Sequence, residues 1–173
     1  MIIPLAEVLL RPLEERDLEQ LYHYKNDSAI LSLLVGFRAG QSRKGLVEWF
    51  ERHAGRQDEV LWSIAEKTAD RCIGYAGLYN IDGRTRSCTF GILIGDKNFW
   101  GRHVGTEATE AVVEYGFRQL NLRRVALMVL AANARARSVY EKLGFEVEGL
   151  LKQAEFRDGS YLDVVLMAKM AGA

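Results

Sequence analysis

The stretch Asn133-Ala134-Arg135-Ala136-Arg137-Ser138-Val139-Tyr140-Glu141-Lys142-Leu143-Gly144-Phe145 organises the reading of this chain. Residues 134–143 read as a helix that Asn133 can cap through its side-chain oxygen. Gly144 is a good stop, since helices commonly end on a left-handed residue. The run just before it, Arg124-Val125-Ala126-Leu127-Met128-Val129-Leu130, is apolar at both parities, as in a strand covered on both faces. Downstream, two strand-like runs near 145–156 and 160–168 meet at Asp158-Gly159, a hairpin signal.

Further upstream, residues 102–120 form a strong helical pattern. Ala108, Val112 and Tyr115 share one face, which Val113 and Phe117 widen. Glu107, Glu110, Glu114 and Arg118 occupy the other, with Glu114 and Arg118 a favourable pair one turn apart. Three β-rich runs precede this helix, at 60–66, 72–81 and 87–95, separated by Thr68-Ala69-Asp70-Arg71 and Asp82-Gly83-Arg84. They read as an antiparallel meander. The chain opens with a strand, Val8-Leu9-Leu10-Arg11-Pro12-Leu13. Two helical patterns follow, at 15–25 and after Ser42, the second carrying Leu46, Val47, Trp49 and Phe50. The order predicts one α+β domain over 1–173, on a mixed, mostly antiparallel sheet of about seven strands flanked by about four helices.

Composition narrows the function classes. The 173 residues include 23 basic and 23 acidic side chains, so no net charge draws the chain to nucleic acid or an anionic membrane. No apolar run is long enough to span a bilayer, the short apolar N-terminus has no basic lead segment, and the expected compartment is the cytoplasm. Cys72 and Cys88 lie in apolar strands and read as buried free thiols. With no Cys/His cluster and with His23, His53 and His103 scattered, no metal site is expected.

Strand 87–95 runs into Gly95-Asp96-Lys97-Asn98-Phe99-Trp100-Gly101-Arg102-His103-Val104-Gly105-Thr106, directly before the long helix. A glycine-bearing turn at a helix N-terminus offers free N–H groups and the positive end of the dipole, which suit a pyrophosphate. Arg102 could add a charge-assisted contact. Such glycines also occur as plain turn residues. The turn lacks both G-x-G-x-x-G and Gly-Lys-Ser/Thr, so the known nucleotide loops do not fit.

Together, the two segments resemble the GCN5-related N-acetyltransferase (GNAT) superfamily, in which an Asn opens the helix after the fifth strand and a Tyr lies seven residues on. The turn at 100–106 matches the family's acyl-CoA pyrophosphate loop. The opening Leu10-Arg11-Pro12 and the closing Asp158-Gly159-Ser160-Tyr161-Leu162-Asp163 look like the branch of ribosomal-protein N-terminal acetyltransferases and bacterial spermidine acetyltransferases. The resemblance implies a GNAT-like fold that uses acetyl-CoA as co-substrate. It also implies roles: Ile92, Leu93 and Ile94 pairing with the pantetheine arm, and Trp100 (where the family has Gln or Arg), Gly101, Arg102, His103, Val104, Gly105 and Thr106 around the pyrophosphate. Asn133 would bond the pantetheine region, and Tyr140 would stand by the thioester sulfur as general acid. A homodimer is common in the family.

Acyl transfer to nitrogen needs a neutral amine. A lysine-like amine with pKa of about 10.4 costs roughly 4–5 kcal/mol to deprotonate at neutrality, and an α-amine of about 8 only about 1–1.5. The branch's fourth-strand acid, near Thr89, is missing, for no acid stands between residues 83 and 95. The expected acceptor is therefore a peptide N-terminus or amino-sugar. A polyamine, or a non-catalytic acyl-CoA-binding domain, is the alternative. Glu66, Asp82 and the acids around Asp27 are candidate bases. Cys88 is a poor candidate for an acyl carrier. Phe37, Trp49 and Phe50 read as core or acceptor platform, Phe99 and Trp100 as staples or cleft lining, and His103 as a turn residue. Glu14, Glu15, Asp17 and Glu19 read as a solvated face.

Overall fold

The computed structural model describes residues 1–36 and 39–172; Phe37 lies outside the described residues. The strands are β1 (Ile3–Pro4), β2 (Val8–Pro12), β3 (Val60–Glu66), β4 (Cys72–Asp82), β5 (Ser87–Ile94), β6 (Arg124–Leu130), β7 (Glu146–Arg157) and β8 (Ser160–Met170). The helices are α1 (Leu18–Tyr24), α2 (Ser28–Leu31), α3 (Arg43–Ala54), α4 (Val104–Gln119) and α5 (Ala134–Lys142). One sheet runs in the order β1-β2-β3-β4-β5-β6-β8-β7, antiparallel at every described junction except β5–β6. This is the α+β architecture expected, with one strand and one helix more.

Both additions are too short to carry a period. β1 exists through two pairings, Ile3 with Leu10 and Pro4 with Leu9. α2 has four residues, nucleated by Asp27, whose Oδ1 accepts from the N–H of Ala29 at 2.9 Å and of Ile30 at 3.3 Å. The long helix starts at Val104 rather than 102, because Gly101 (φ +82°) and His103 (φ +63°) are left-handed. At the hairpin Asp158 (φ +49°) and Gly159 (φ +75°) both take positive φ, the type I′ geometry that matches strand twist.

Strand alternation sends side chains into two cores on opposite faces of the sheet. Phe90 on β5 and Ile73 on β4 join α4's Val104, Ala108, Val112 and Val113 in the larger core, with Ile92 and Ile94 packed against it. Leu93 and Cys72, of opposite parity, join Leu18, Leu21, Tyr24, Ile30 and Leu46 in the smaller one. Trp62 on β3 meets Tyr115 edge-on at 4.9 Å. Truncating a fully enclosed residue such as Leu21 or Leu46 to Ala would cost about 2–5 kcal/mol. β6 departs from its expected cover on both faces, since Met128 is half exposed.

The acids at 14–19 need a correction. Asp17 is buried, accepting from Arg11 Nη1 and Nη2 at 2.8 Å each, while Glu14, Glu15 and Glu19 are exposed. A buried carboxylate is tolerable here because a bidentate guanidinium satisfies both oxygens.

Candidate active site

The site begins where the sheet splits. β5 and β6 run parallel through three pairs only, Ser87–Arg124, Cys88–Val125 and Thr89–Ala126. Beyond them, among the described residues, β5 pairs only with β4, and β6 only with β8. From Phe90 to Ile94 one edge of β5 thus has no strand partner, a template for an extended chain up to Ile94, whose carbonyl accepts from Trp100. Phe90, the first residue past the last rung, lies edge-on to Tyr140 of α5, ring centroids 6.4 Å apart. Tyr140 also packs on Phe145 at 5.8 Å and is 9% exposed. Burial pushes its phenol up to about 12. The expected acid therefore stands at the crotch of the fork, protonated at any physiological pH.

At the open end of β5 the chain turns sharply. The N–H groups of Gly95 and Asp96 both donate to the carbonyl of Ile73, at 2.8 and 3.1 Å. Gly95 is required, since a Cβ there would sit 2.0 Å from the Tyr24 ring. Arg71 donates to Asp96 at 2.7 Å, and Asp96 Oδ1 accepts from the N–H of Asn98. Phe99 enters the larger core, and Trp100 Nε1 donates to the carbonyl of Ile94 at 2.9 Å. Both aromatics staple the turn. No side chain caps α4, so the N–H groups of Val104, Gly105 and Thr106 point out of the helix beside two left-handed residues. Arg102 bridges to Glu7 at 2.7 Å. It also stacks 5.2 Å from the Phe99 ring, and an arginine not anticipated joins it at the turn: exposed Arg135 of α5 lies beside Gly101 and 6.0 Å from the Trp100 ring.

Asn133 performs two tasks. Its Oδ1 accepts from the N–H of Ala136 at 3.1 Å, capping α5, and its Nδ2 donates to the carbonyl of Leu33 at 3.2 Å. Leu33 belongs to the segment after α2, which walls a second space on the smaller-core face of β5. That cavity, of about 220 Å³, is lined by Lys25, Leu31, Leu34, Gln41, Trp49, Tyr75 and Leu93, among others. Lys25 is 6% exposed, with its ammonium 3.3 Å from the centroid of the Trp49 ring and 4.9 Å from that of Tyr75. Trp49 is therefore both core and lining. Lys25 and Tyr75 had no sequence signal, because a cation–π contact joins residues without fixed spacing.

The other candidates sit apart. Asp27 caps α2, and its ion pair with Lys97 at 2.6 Å holds its carboxyl below the usual range. Asp82 holds its own turn, accepting from the N–H groups of Arg84 and Thr85, and Glu66 pairs with Arg71. Cys72 and Cys88 are free and buried as expected, and burial pushes Cys88 up to about 12, leaving no thiolate to carry an acyl group. Among the described residues no cluster of three metal-ligating side chains occurs, and no helix is long and apolar enough to cross a membrane.

Comparison with known proteins agrees with this geometry. The family described as "Acetyltransferase (GNAT) domain" matches residues 7–146. The spermidine N(1)-acetyltransferase of Escherichia coli K12 is 29% identical over 160 residues, covering 92% of this chain and 84% of that protein. A putative ribosomal N-acetyltransferase of Bacillus subtilis is 33% identical over 92 residues, 53% of this chain and 50% of that one. The crystal structure of spermidine N-acetyltransferase from Vibrio cholerae in complex with CoA and spermine superposes with a TM-score of 0.87 at 28% identity, covering 95% of each chain. A fork closed by a buried phenol, a bare helix N-terminus at its mouth and the family match together show that the chain belongs to the GNAT acetyltransferases, enzymes that draw their acyl group from acetyl-CoA.

Proposed function

We propose that the enzyme acetylates a small-molecule amine of the polyamine type, the coenzyme entering the fork and the amine the cavity on the other face of β5. The observation that carries the coenzyme half is the edge of β5 from Phe90 to Ile94 that no strand pairs, which ends at the ring of Tyr140. The pantetheine arm would add to the backbone of Ile92, Leu93 and Ile94 as an extra strand. The pyrophosphate would take the N–H groups of residues 101–106, with Trp100 fixing the turn and Arg102 and Arg135 the positive charges beside it. Asn133 would turn its second amide hydrogen to the pantetheine. One N-acetyltransferase domain then spans 1–173.

The chemistry follows from the environment. The neutral amine nitrogen attacks the thioester carbonyl; a C–N bond forms, the C–S bond breaks with its electron pair going to sulfur, and the nitrogen sheds one proton to solvent, from which the phenol regains the one it gives. Tyr140 donates to that sulfur as charge builds on it. A phenol at about 12 would be poorly matched to an aqueous thiol of about 8.5. The same desolvation raises a buried thiol, as it does Cys88, so phenol and departing thiolate stay near each other in proton affinity.

The polyamine class rests on the spermidine acetyltransferases that match over nearly the whole chain. It takes the place of the peptide N-terminus or amino-sugar expected from the missing strand acid. The test is release of free CoA thiol on mixing acetyl-CoA with spermidine, spermine, an N-terminal peptide and glucosamine. Turnover should be fastest with a polyamine; a stronger response to the peptide or the sugar would reverse the assignment. A homodimer would form on the outer strand β7, where Val147, Leu150, Leu151 and Phe156 are exposed, and sedimentation at micromolar concentration would reveal it.

A further inference from the structure

The cavity wall formed by residues 31–36 is held by side chains more than a hundred positions away. Arg157, at the end of β7, donates Nη1 to the carbonyls of Leu31 at 3.0 Å and Ser32 at 2.8 Å, and Nη2 to that of Leu34 at 2.8 Å. Glu155, two residues earlier on the same strand face, accepts from the N–H of Gly36 at 2.7 Å. The two side chains are themselves 3.7 Å apart and nearly buried, at 13% and 12% exposed. Asn133 takes the remaining carbonyl, that of Leu33. Four successive carbonyls are thus satisfied by two side chains, and a fixed cation sits at the C-terminal end of α2, where the helix dipole favours it. A break in the β7–β8 register between Leu151 and Glu155 sets off the strand end that carries both residues.

Leu31 and Leu34 line the cavity, and Asn133 caps the helix that carries Tyr140. We infer that Arg157 and Glu155 are positioning residues for the acceptor: together they latch segment 31–36 in place as the cavity wall, and Asn133 ties that wall to the catalytic helix. The inference rests on the cavity being the acceptor site. Neither residue lines the cavity, so both act through the wall. Lysine cannot replace the arginine, because one ammonium has no planar fork to span three carbonyls.

The test uses the full chain with Arg157→Gln, Arg157→Lys and Glu155→Gln, read by hydrogen exchange and by steady-state kinetics. In R157Q the amides of 32–36 should exchange roughly tenfold faster, with those of β3, β4 and β5 unchanged. The KM for spermidine should rise about tenfold, while the KM for acetyl-CoA stays within about twofold. R157K should recover little, and E155Q, which keeps an acceptor oxygen, most of the wild-type behaviour. Exchange that rises evenly over the sheet, or equal changes in both KM values, would overturn the inference as mere loosening. Exchange at 32–36 no faster than in wild type would overturn it too. Absence of spermidine turnover in the wild type would instead remove the acceptor assignment, and the exchange readout would still decide whether the latch exists.

Discussion

Tyr140 and Lys25 define what individual side chains contribute. Tyr140→Phe keeps the ring against Phe90 and Phe145 and removes one hydroxyl. We expect kcat to fall about 10²–10⁴-fold, the range for a lost general acid, with both KM values and the melting temperature nearly unchanged. Because burial raises this phenol to about 12, it keeps its proton through the assay range. Activity should climb with pH as the amine deprotonates and show no alkaline fall below about pH 11; a bell with a limb near 9 would assign the acid role elsewhere. Lys25 brings a positive charge into the cavity. A bound ammonium beside Lys25 meets a screened repulsion, so Lys25→Met should lower the KM for spermidine several-fold; a raised KM would mean that Lys25 holds the acceptor. The place of Tyr140 on the helix that Asn133 caps was legible from their seven-residue spacing. Lys25 was not, since nothing local distinguishes a lysine that will lie on a tryptophan from one in water.

The head of α4 shows how backbone conformation divides labour between neighbouring positions. A Cβ on Gly101, at φ +82°, would only touch the Arg135 guanidinium at an ordinary contact distance of 3.9 Å, so alanine there would be resisted by conformation alone, at about 1–2 kcal/mol. Gly101→Ala should raise the KM for acetyl-CoA more than that for the amine, because the nest of N–H groups distorts; equal effects would place the phosphates elsewhere. His103 already bears the left-handed penalty at φ +63°. His103→Gly should be stabilising by about 0.5–1 kcal/mol, after glycine's own entropic cost, in a denaturant melt. Local chemistry made these elements readable: Asp158-Gly159 dictates its hairpin, and Gly144, at φ +84°, ends α5. α2 escaped because four residues carry no period. The Arg157 latch escaped because its partners are 123–126 positions apart in the chain.

Stability across pH follows from groups spread over the fold. Ion pairs hold Asp70 (Arg11 first, then Arg16) and Glu148 (Arg124) below their ordinary values. Depressed carboxylates stabilise above their unfolded pKa and lose that contribution as pH falls through the lower folded value. Cys72, Cys88, Tyr24 and Tyr140 are raised by burial. Their contribution is complete below the unfolded values of 9.0 and 10.0 and disappears as pH rises toward the folded ones. A plateau in melting temperature between about pH 5 and 9 with decline on both sides is expected by calorimetry. A steady slope across that interval would contradict these assignments. The meander and the α/β alternation of the second half were readable from periodicity. The splitting of β5 from β6 was not, because both strands look apolar and continuous in sequence, and only three rungs join them. Those three rungs leave an interior seam that no strand among the described residues closes. Starved of coenzyme, the enzyme carries an open β-edge in its middle, where a stray extended peptide could dock. Keeping that seam filled would then guard against self-association, and thioflavin-positive aggregates should form more slowly as free CoA is added.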